Sequence, residues 1–471
     1  MTYKAHNYQT RATRFILEHP YCALLLDMGL GKTVSTMTAL DILMYQTIEV
    51  SRVLVIAPKS VALNTWSGEA AKWDHLNHMR LSLVLGTPKQ RVKALETTAD
   101  LYVTNCDNVV WLVEHYAKAG QRWPFDCVVL DESSRFKNYQ AKRYKALYKV
   151  RPYIRRLIEL TGTPSPNGLE DLWSQIRLLD HGDRLGRYIT GFRREYMTPG
   201  AHNGNTVYQW VPVKGAKEKI ASKISDITIS MQAADYLEMP MLIDAGMSLR
   251  LPELQAYEDF RRECLLEVDG EQIEAMSAAA LTNKLLQFAS GAVYDGDHDW
   301  HEVSTAKLEA LTDLVESLDE PAMVMYNYRH ELERITRALP DAVPFRGEPE
   351  LLAAWNRGEI RVLLCHPASV SFGLNLQQGG RVIIWYSPTY NLEQGGRVII
   401  WYSPTYNLEQ YEQANARLYR QGQTKPVLRY HLSCIGTMDE VVVRALHGKA
   451  DMQQTLIKSL KAMRHETIGL G

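Results

Sequence analysis

Two clusters of residues in this chain are suited to phosphate chemistry, and they lie about 380 residues apart. The first is Asp27–Thr33, DMGLGKT. Gly29 and Gly31 let backbone N–H groups approach phosphate oxygens, Lys32 can neutralise them, and the Thr33 hydroxyl can ligate Mg²⁺. The first glycine of the usual G-x-x-x-x-G-K-[ST] pattern is absent, because Leu26 stands in its place. Further on, Asp131-Glu132 follows the apolar run Cys127–Leu130. An aspartate at a strand end beside a phosphate cradle suits a Mg²⁺ ligand, and a glutamate suits the group that orients or deprotonates water. The second cluster, Gln413–Gln423, reads QANARLYRQGQ and sets Arg417 and Arg420 three residues apart, on one face of a helix. Guanidinium groups there can stabilise charge on a phosphoryl group in transfer. One lobe holding a triphosphate and another supplying arginine points to ATP-driven work.

The elements that must position these residues show in the apolar runs. Cys22–Leu26, Val53–Ala57, Leu101–Thr104, Cys127–Leu130 and Leu157–Leu160 read as buried strands separated by helical stretches. Such alternation argues an α/β lobe with a parallel, doubly wound sheet over residues 1–180. The polar segments DMGLGKT, PKS, NCD, DESS and TGTPSPN each follow one of these runs, where ligands gather in such sheets. Residues 181–300 read as a helical insertion and linker. A second lobe of the same build is expected over 301–450, with strands Ala322–Tyr326, Arg361–Cys365 and Val382–Trp385. Thr437-x-x-Glu440 reads as a capping box, and a helical tail, residues 451–471, is expected to pack on the second lobe.

Composition narrows the class. At 471 residues two or three domains are expected, and 46% hydrophobic with 23% charged residues is that of a soluble globular protein. Met1–Thr10 lacks a signal-peptide core, no apolar run is long enough to span a membrane, and six scattered cysteines fit a reducing compartment. A cytoplasmic location follows as the expectation, the host cytoplasm if the source is viral. With a net charge of −1, a nucleic-acid surface must be a local patch. Arg135–Arg156 offers one, with nine basic residues, no acidic one, and interleaved Tyr139, Tyr144, Tyr148 and Tyr153; a solvated helix face is the plain alternative. Arg184, Arg187, Arg193 and Arg194 form a weaker cluster. Finally, Gly379–Gln394 and Gly395–Gln410 are the same 16 residues, GGRVIIWYSPTYNLEQ, in tandem. Only one copy can fill the intended strand, so the other is expected to bulge out or add at an edge.

Taken together, the motifs resemble those of the superfamily 2 helicases, and within them the SWI/SNF-like ATPases, along nearly the whole chain. Tyr8-Gln9 is similar to the adenine-reading glutamine motif and DMGLGKT to motif I. Ala57–Ser60 with Trp66 and Glu69 is similar to motif Ia, and Asp131–Ser134 followed by Phe136-Lys137-Asn138 to the DEAH-type box and its extension. Leu160–Asn167 with Leu172-Trp173 resembles motif III, Ser369–Gln377 motif V, and Gln413–Gln423 motif VI. The resemblance implies two RecA-like lobes with a C-terminal helical brace, using ATP and Mg²⁺. ATP would be contacted by Gln9, Gly29, Gly31, Lys32, Thr33, Gly373, Gln413, Arg417 and Arg420, with Mg²⁺ on Thr33 and Asp131. DNA, double-stranded by analogy, would meet Lys59, Ser60, Thr104, Asn105, Lys137, Ser369 and Asn375, and Thr161 and Thr163 would couple the two sites. The box ends in Ser133-Ser134 where relatives often have Ala-His. The leading expectation is an ATP-dependent translocase on duplex DNA. A strand-separating helicase is its neighbour, and a nucleotide-gated DNA-binding subunit disabled by the repeat is the contrasting class.

Overall fold

The computed structural model describes the chain apart from residues 201, 204, 205, 208, 209, 240, 270–277, 317–320, 368–396, 404, 406, 417, 418, 420–426 and 469–471. Its contacts divide into two units, Met1–Leu237 with Lys449–Gly471, and Glu238–Gly448.

The first unit is built on strands β1 (Tyr21–Leu26), β2 (Val53–Ala57), β3 (Leu81–Leu83), β4 (Leu101–Asn105), β5 (Cys127–Asp131), β6 (Arg156–Thr161) and β7 (Thr228–Met231). Among the described residues they form a seven-stranded sheet in the order β7-β1-β6-β5-β2-β4-β3, and every pairing is parallel. All five positions of β2 and of β5 are buried, because a parallel sheet covered by helices on both faces has no solvent side. The helices that matter below are α1 (Asn7–Glu18), α2 (Lys32–Asp41), α3 (Lys59–Lys72), α4 (Pro88–Glu96), α5 (Val109–Lys118), α6 (Lys142–Val150) and α7 (Glu170–Asp180).

The second unit repeats the plan. Strands β8 (Leu242–Leu249), β9 (Ala322–Met325), β10 (Ala342–Phe345), β11 (Val362–Cys365), β12 (Arg397–Trp401) and β13 (Val427–Cys434) run in the order β8-β13-β12-β9-β11-β10, again all parallel. Two RecA-like lobes are therefore present, as the alternation of apolar runs implied.

Three features depart from the sequence reading. Residues 181–300 are not a separate insertion: β7 pairs with β1 in one sheet and β8 with β13 in the other, so the division falls at Leu237/Glu238. The tandem repeat resolves in favour of its second copy. β12 comes from that copy, with Ile399 beside Met323 and Trp401 beside Met325 on one flank and His431 on the other. Trp401 Nε1–H donates to Asn415 Oδ1 at 3.1 Å and Asn327 Nδ2–H to the Ser403 carbonyl at 3.0 Å, which ties the copy into its lobe. The strand expected at Val382–Trp385 lies in the first copy, outside the described residues. The terminal helix Met438–Ile468 starts in the second unit, but from Lys449 onward it belongs with the first, where Met452 packs on the core. Its start is capped one register off the expected box: Thr437 Oγ1 accepts from Asp439 N–H at 3.3 Å, and the Glu440 carboxylate from Gly436 N–H at 3.3 Å.

One core residue breaks the rule that buried charges are paired. Glu159 on β6 is buried, and neither carboxylate oxygen has a hydrogen-bond partner among the described residues. Burial pushes its carboxyl well above the usual range, against the opposing influence of Arg151. The native state thus keeps a proton that the unfolded chain releases. Stability must fall as pH climbs from the ordinary carboxylate range toward the raised native value. Glu159→Leu is expected to raise stability at pH 8 by about 1–3 kcal/mol, the typical cost of an unsatisfied buried group, and by less at pH 5. Thermal melts at both pH values check this; equal shifts at the two would refute the titration argument.

Candidate nucleotide and coupling site

At the carboxyl ends of β1, β5 and β6 the first unit carries the phosphate loop, the acidic pair and the TGTPSPN segment. Gly29 and Gly31 have φ values of 86° and 68°, in the left-handed region that favours glycine. A Cβ on Gly31 would lie 2.5 Å from Gln9 Nε2, so Gln9 already touches the phosphate loop. The Gln9 carbonyl oxygen accepts from His6 N–H at 2.9 Å, which orients the amide nitrogen toward Gly31. α2 starts at Lys32 with no side-chain cap, leaving its first-turn amides available to an anion. Lys32 Nζ donates to the carbonyls of Leu26 at 2.7 Å and Asp27 at 3.3 Å, a resting arrangement on backbone oxygens. Gly162, from the segment after β6, closes in from the other side: a Cβ there would sit 3.3 Å from the Leu26 carbonyl oxygen and 3.7 Å from Lys32 Nζ.

The acidic pair follows β5. Asp131 is 6% exposed and accepts from the indole Nε1–H of the fully buried Trp66, on α3, at 2.9 Å. Burial pushes the Asp131 carboxyl up, while the Trp66 hydrogen bond and the nearby Lys32 charge pull it down. Glu132 adopts φ 62°, ψ 64°, a left-handed conformation worth about 1–3 kcal/mol of strain in a non-glycine residue. This turn ends the strand.

A hydrogen-bonded bridge then joins the acidic box to the TGTPSPN segment. Ser133 Oγ donates to Gln175 Oε1 at 2.8 Å, and Gln175 Nε2 donates to the carbonyls of Pro164 at 2.7 Å and Asp171 at 2.8 Å. Within the segment, Thr163 N–H donates to Thr161 Oγ1 at 3.0 Å. Thr163 Oγ1 and Ser165 Oγ are buried with no partner among the described residues. Sequence reasoning passed over Gln175, a buried polar residue of α7 that lies among Leu172, Trp173, Ile176 and Leu179.

A divalent cation suits this donor set. Thr33 at the start of α2 and the buried Asp131 would hold it, and Mg²⁺ takes few protein oxygens when phosphates supply the rest. Among the described residues there is no cluster of three or more histidine, cysteine or acidic side chains that could hold a metal ion.

The remaining candidates divide. Lys59 and Ser60 open α3 after β2, and Asn105 ends β4, all at the same edge as the loop. Thr104, expected on DNA, is fully buried and donates to the Val84 carbonyl at 2.9 Å, so its side chain braces β4 instead of facing a ligand. Lys137 lies near Asp171 and Lys449, whose ammonium is pulled down by burial in their company. Gln413 is buried in helix Leu408–Asn415, donating to Glu409 Oε1 at 3.4 Å. Ser369, Gly373, Asn375, Arg417 and Arg420 lie outside the described residues. Two members of the arginine cluster after α7 are engaged, Arg184 with Asp226 and Asp180 and Arg193 with Glu170 at 2.5 Å, while Arg187 and Arg194 are exposed. No helix among the described residues is long and apolar enough to cross a membrane.

Comparisons with known proteins agree with these motifs. The family described as SNF2-related domain matches residues 8–221. Protein p41 of Acyrthosiphon pisum secondary endosymbiont phage 1 is 37% identical over 475 residues, covering 98% of this chain and 99% of p41. DNA repair and recombination protein RAD54 of Oryza sativa subsp. japonica is 25% identical over 508 residues, covering 92% of this chain but 49% of its own length. The chain thus spans about half of that relative. A solved structure titled Sulfolobus solfataricus SWI2/SNF2 ATPase core in complex with dsDNA covers 98% of this chain and 97% of its own at 20% identity, with a TM-score of 0.43, a likeness too loose to bear on the argument. On its motifs and these relatives, the chain belongs to the SNF2-related, SWI/SNF-like branch of the superfamily 2 ATPases.

Proposed function

We propose that this protein is an ATP-dependent translocase on duplex DNA. The observation that carries the reading is the hydrogen-bonded tie from the acidic box through Ser133 and Gln175 to Pro164, in the segment whose Gly162 lies close beside Lys32 and the phosphate loop. Such a tie lets the segment after β6 follow the state of the phosphate site, and that segment is proposed to pass the change on to a second ligand. Asn105 and the start of α3 lie at the same sheet edge and are proposed to meet the DNA backbone, which makes binding largely independent of sequence and sensitive to salt. RAD54, by its name a repair and recombination protein, supports DNA as that ligand.

Each residue then has a role. The amides of α2 and Lys32 hold the β- and γ-phosphates, and Gln9 reads the base. Trp66 fixes the orientation of Asp131, which with Thr33 would hold the cation. Bound Mg²⁺ would neutralise charge on the phosphate oxygens. Glu132 orients the attacking water and takes its proton. Arg417 and Arg420 supply guanidinium charge to the transition state.

The test is the rate of ATP hydrolysis without nucleic acid and with duplex DNA, single-stranded DNA or RNA, followed by triplex displacement on duplex and unwinding of a fork. Stimulation by duplex with triplex displacement supports translocation. Fork unwinding without displacement supports strand separation instead, and no turnover under any condition supports a non-motor DNA-binding subunit.

The bridge makes its own prediction. Ser133→Ala and Gln175→Leu are each expected to cut the fold-stimulation by DNA several-fold. The double variant should be no worse than the worse single one, because both remove the same link. Multiplying losses in a double-mutant cycle would show that the two side chains act separately.

A further inference from the structure

The basic segment Arg135–Arg156 is only partly absorbed by the site above, and the structure sorts its members by job. Arg151 is buried, donating to the carbonyls of Leu178 and Leu179, and Arg156 is buried, donating to those of Ile16 and Leu17 and to Glu49. These two arginines are internal struts. On α6 the division is sharper. Tyr144, Ala146, Leu147 and Val150 face the core, while Lys142, Lys145 and Lys149 are exposed. Their spacing of three and four residues sets the lysines in a row on one face, about 10 Å long at 1.5 Å per residue. Beyond the helix Arg155 is also exposed, with the Glu49 carboxylate within its electrostatic reach, and Arg122 lies over the half-exposed ring of Tyr153 at 5.9 Å.

Among the described residues no carboxylate pairs with the three lysines. The segment contains no acidic residue, and among the described residues the ion pair that α6 makes is Arg143 with Asp107, at 3.9 Å. That pair also locates the row. Asp107 lies two residues past Asn105, so the start of α6 adjoins the edge where DNA is proposed to bind, and the row leads away from it.

We propose that the outer face of α6, through Lys142, Lys145 and Lys149 with Arg155 and Arg122 beyond, is a second contact for the backbone of duplex DNA. The inference rests on the DNA reading above and extends it to a surface that no motif covers. Charge without apolar area favours this partner over others. A protein interface would need an apolar centre, and Tyr153 alone offers little. A membrane would need the apolar face of α6, which is spent on the core. A polyanion needs only the row of ammonium groups, and a chain with net charge −1 concentrates its attraction where such a row lies.

The experiment is the salt dependence of duplex binding by the full chain and by a Lys142→Ala, Lys145→Ala, Lys149→Ala variant, with ATP turnover and melting temperature measured beside it. Each phosphate contact contributes about 0.9 to the slope of log affinity against log salt, so losing three should make the slope shallower by roughly 2.7. Melting temperature and DNA-free turnover should be unchanged, since the lysines touch neither core nor nucleotide site. An unshifted slope with normal duplex binding would overturn the second contact alone. Failure of the parent chain to bind duplex would overturn the DNA reading and this inference together.

Discussion

Lys32→Ala is expected to remove ATP turnover altogether, with nucleotide affinity falling alongside it. Lys32 is the cation that closes the phosphate loop, and its amine now rests on the Leu26 and Asp27 carbonyls. Those are neutral partners that a triphosphate outbids electrostatically, so the lysine is held near its working position without being trapped by a carboxylate. Losing one preorganised charge in a water-poor site typically lowers a rate by about 10²–10³-fold. Here the same charge also moderates the buried Asp131, whose carboxyl burial already pushes up. Removing the ammonium therefore weakens two groups at once, and the total loss should exceed that range. Steady-state turnover with saturating duplex, together with binding of a fluorescent ATP analogue, measures both quantities. A variant that kept a tenth of parental turnover would show that the loop amides alone suffice, and the role given to Lys32 would be wrong.

How much of this was legible before the structure depends on the range of the interactions involved. The cradle was readable because its chemistry is local: two glycines, a lysine and a threonine within five residues, flanked by an apolar strand and a helix. β1, β2, β5 and β6 were readable because strands buried on both faces are uninterrupted apolar runs. β7 was not. Its four residues, TISM, carry too little pattern to be told from a loop, and they become a strand only by pairing with Ala23–Leu26 some 200 residues away. β8 and β13 are similar, each defined by the other. The basic segment shows the limit from the opposite side. Nine like charges in a row looked like one surface, but Arg151 and Arg156 turned inward to satisfy backbone carbonyls, which no spacing rule reveals. The same holds for the Trp66–Asp131 and Ser133–Gln175 hydrogen bonds, whose partners are 65 and 42 residues apart. As for the tandem repeat, sequence said that one copy must yield the strand position. It could not say which, because the two are identical, and the register of β12 against β9 and β13 decides for the second.

Glu132→Gln should separate binding from chemistry. The substitution keeps the size and shape of the side chain and leaves the left-handed turn at φ 62° in place, so the loop geometry and the fold are expected to survive. What it removes is the ability to take a proton. Loss of a general base commonly lowers a rate by about 10²–10⁴-fold, and the affinity for ATP should stay near that of the parent, since Lys32, Gln9 and the α2 amides are untouched. The variant should therefore accumulate the ATP-bound state, and duplex affinity measured with ATP present should differ from that measured without it by more than in the parent, whose bound nucleotide turns over. Lys32→Ala predicts the reverse, no dependence on ATP at all. Finding the two variants indistinguishable would mean that Glu132 serves the fold of the turn and not the reaction.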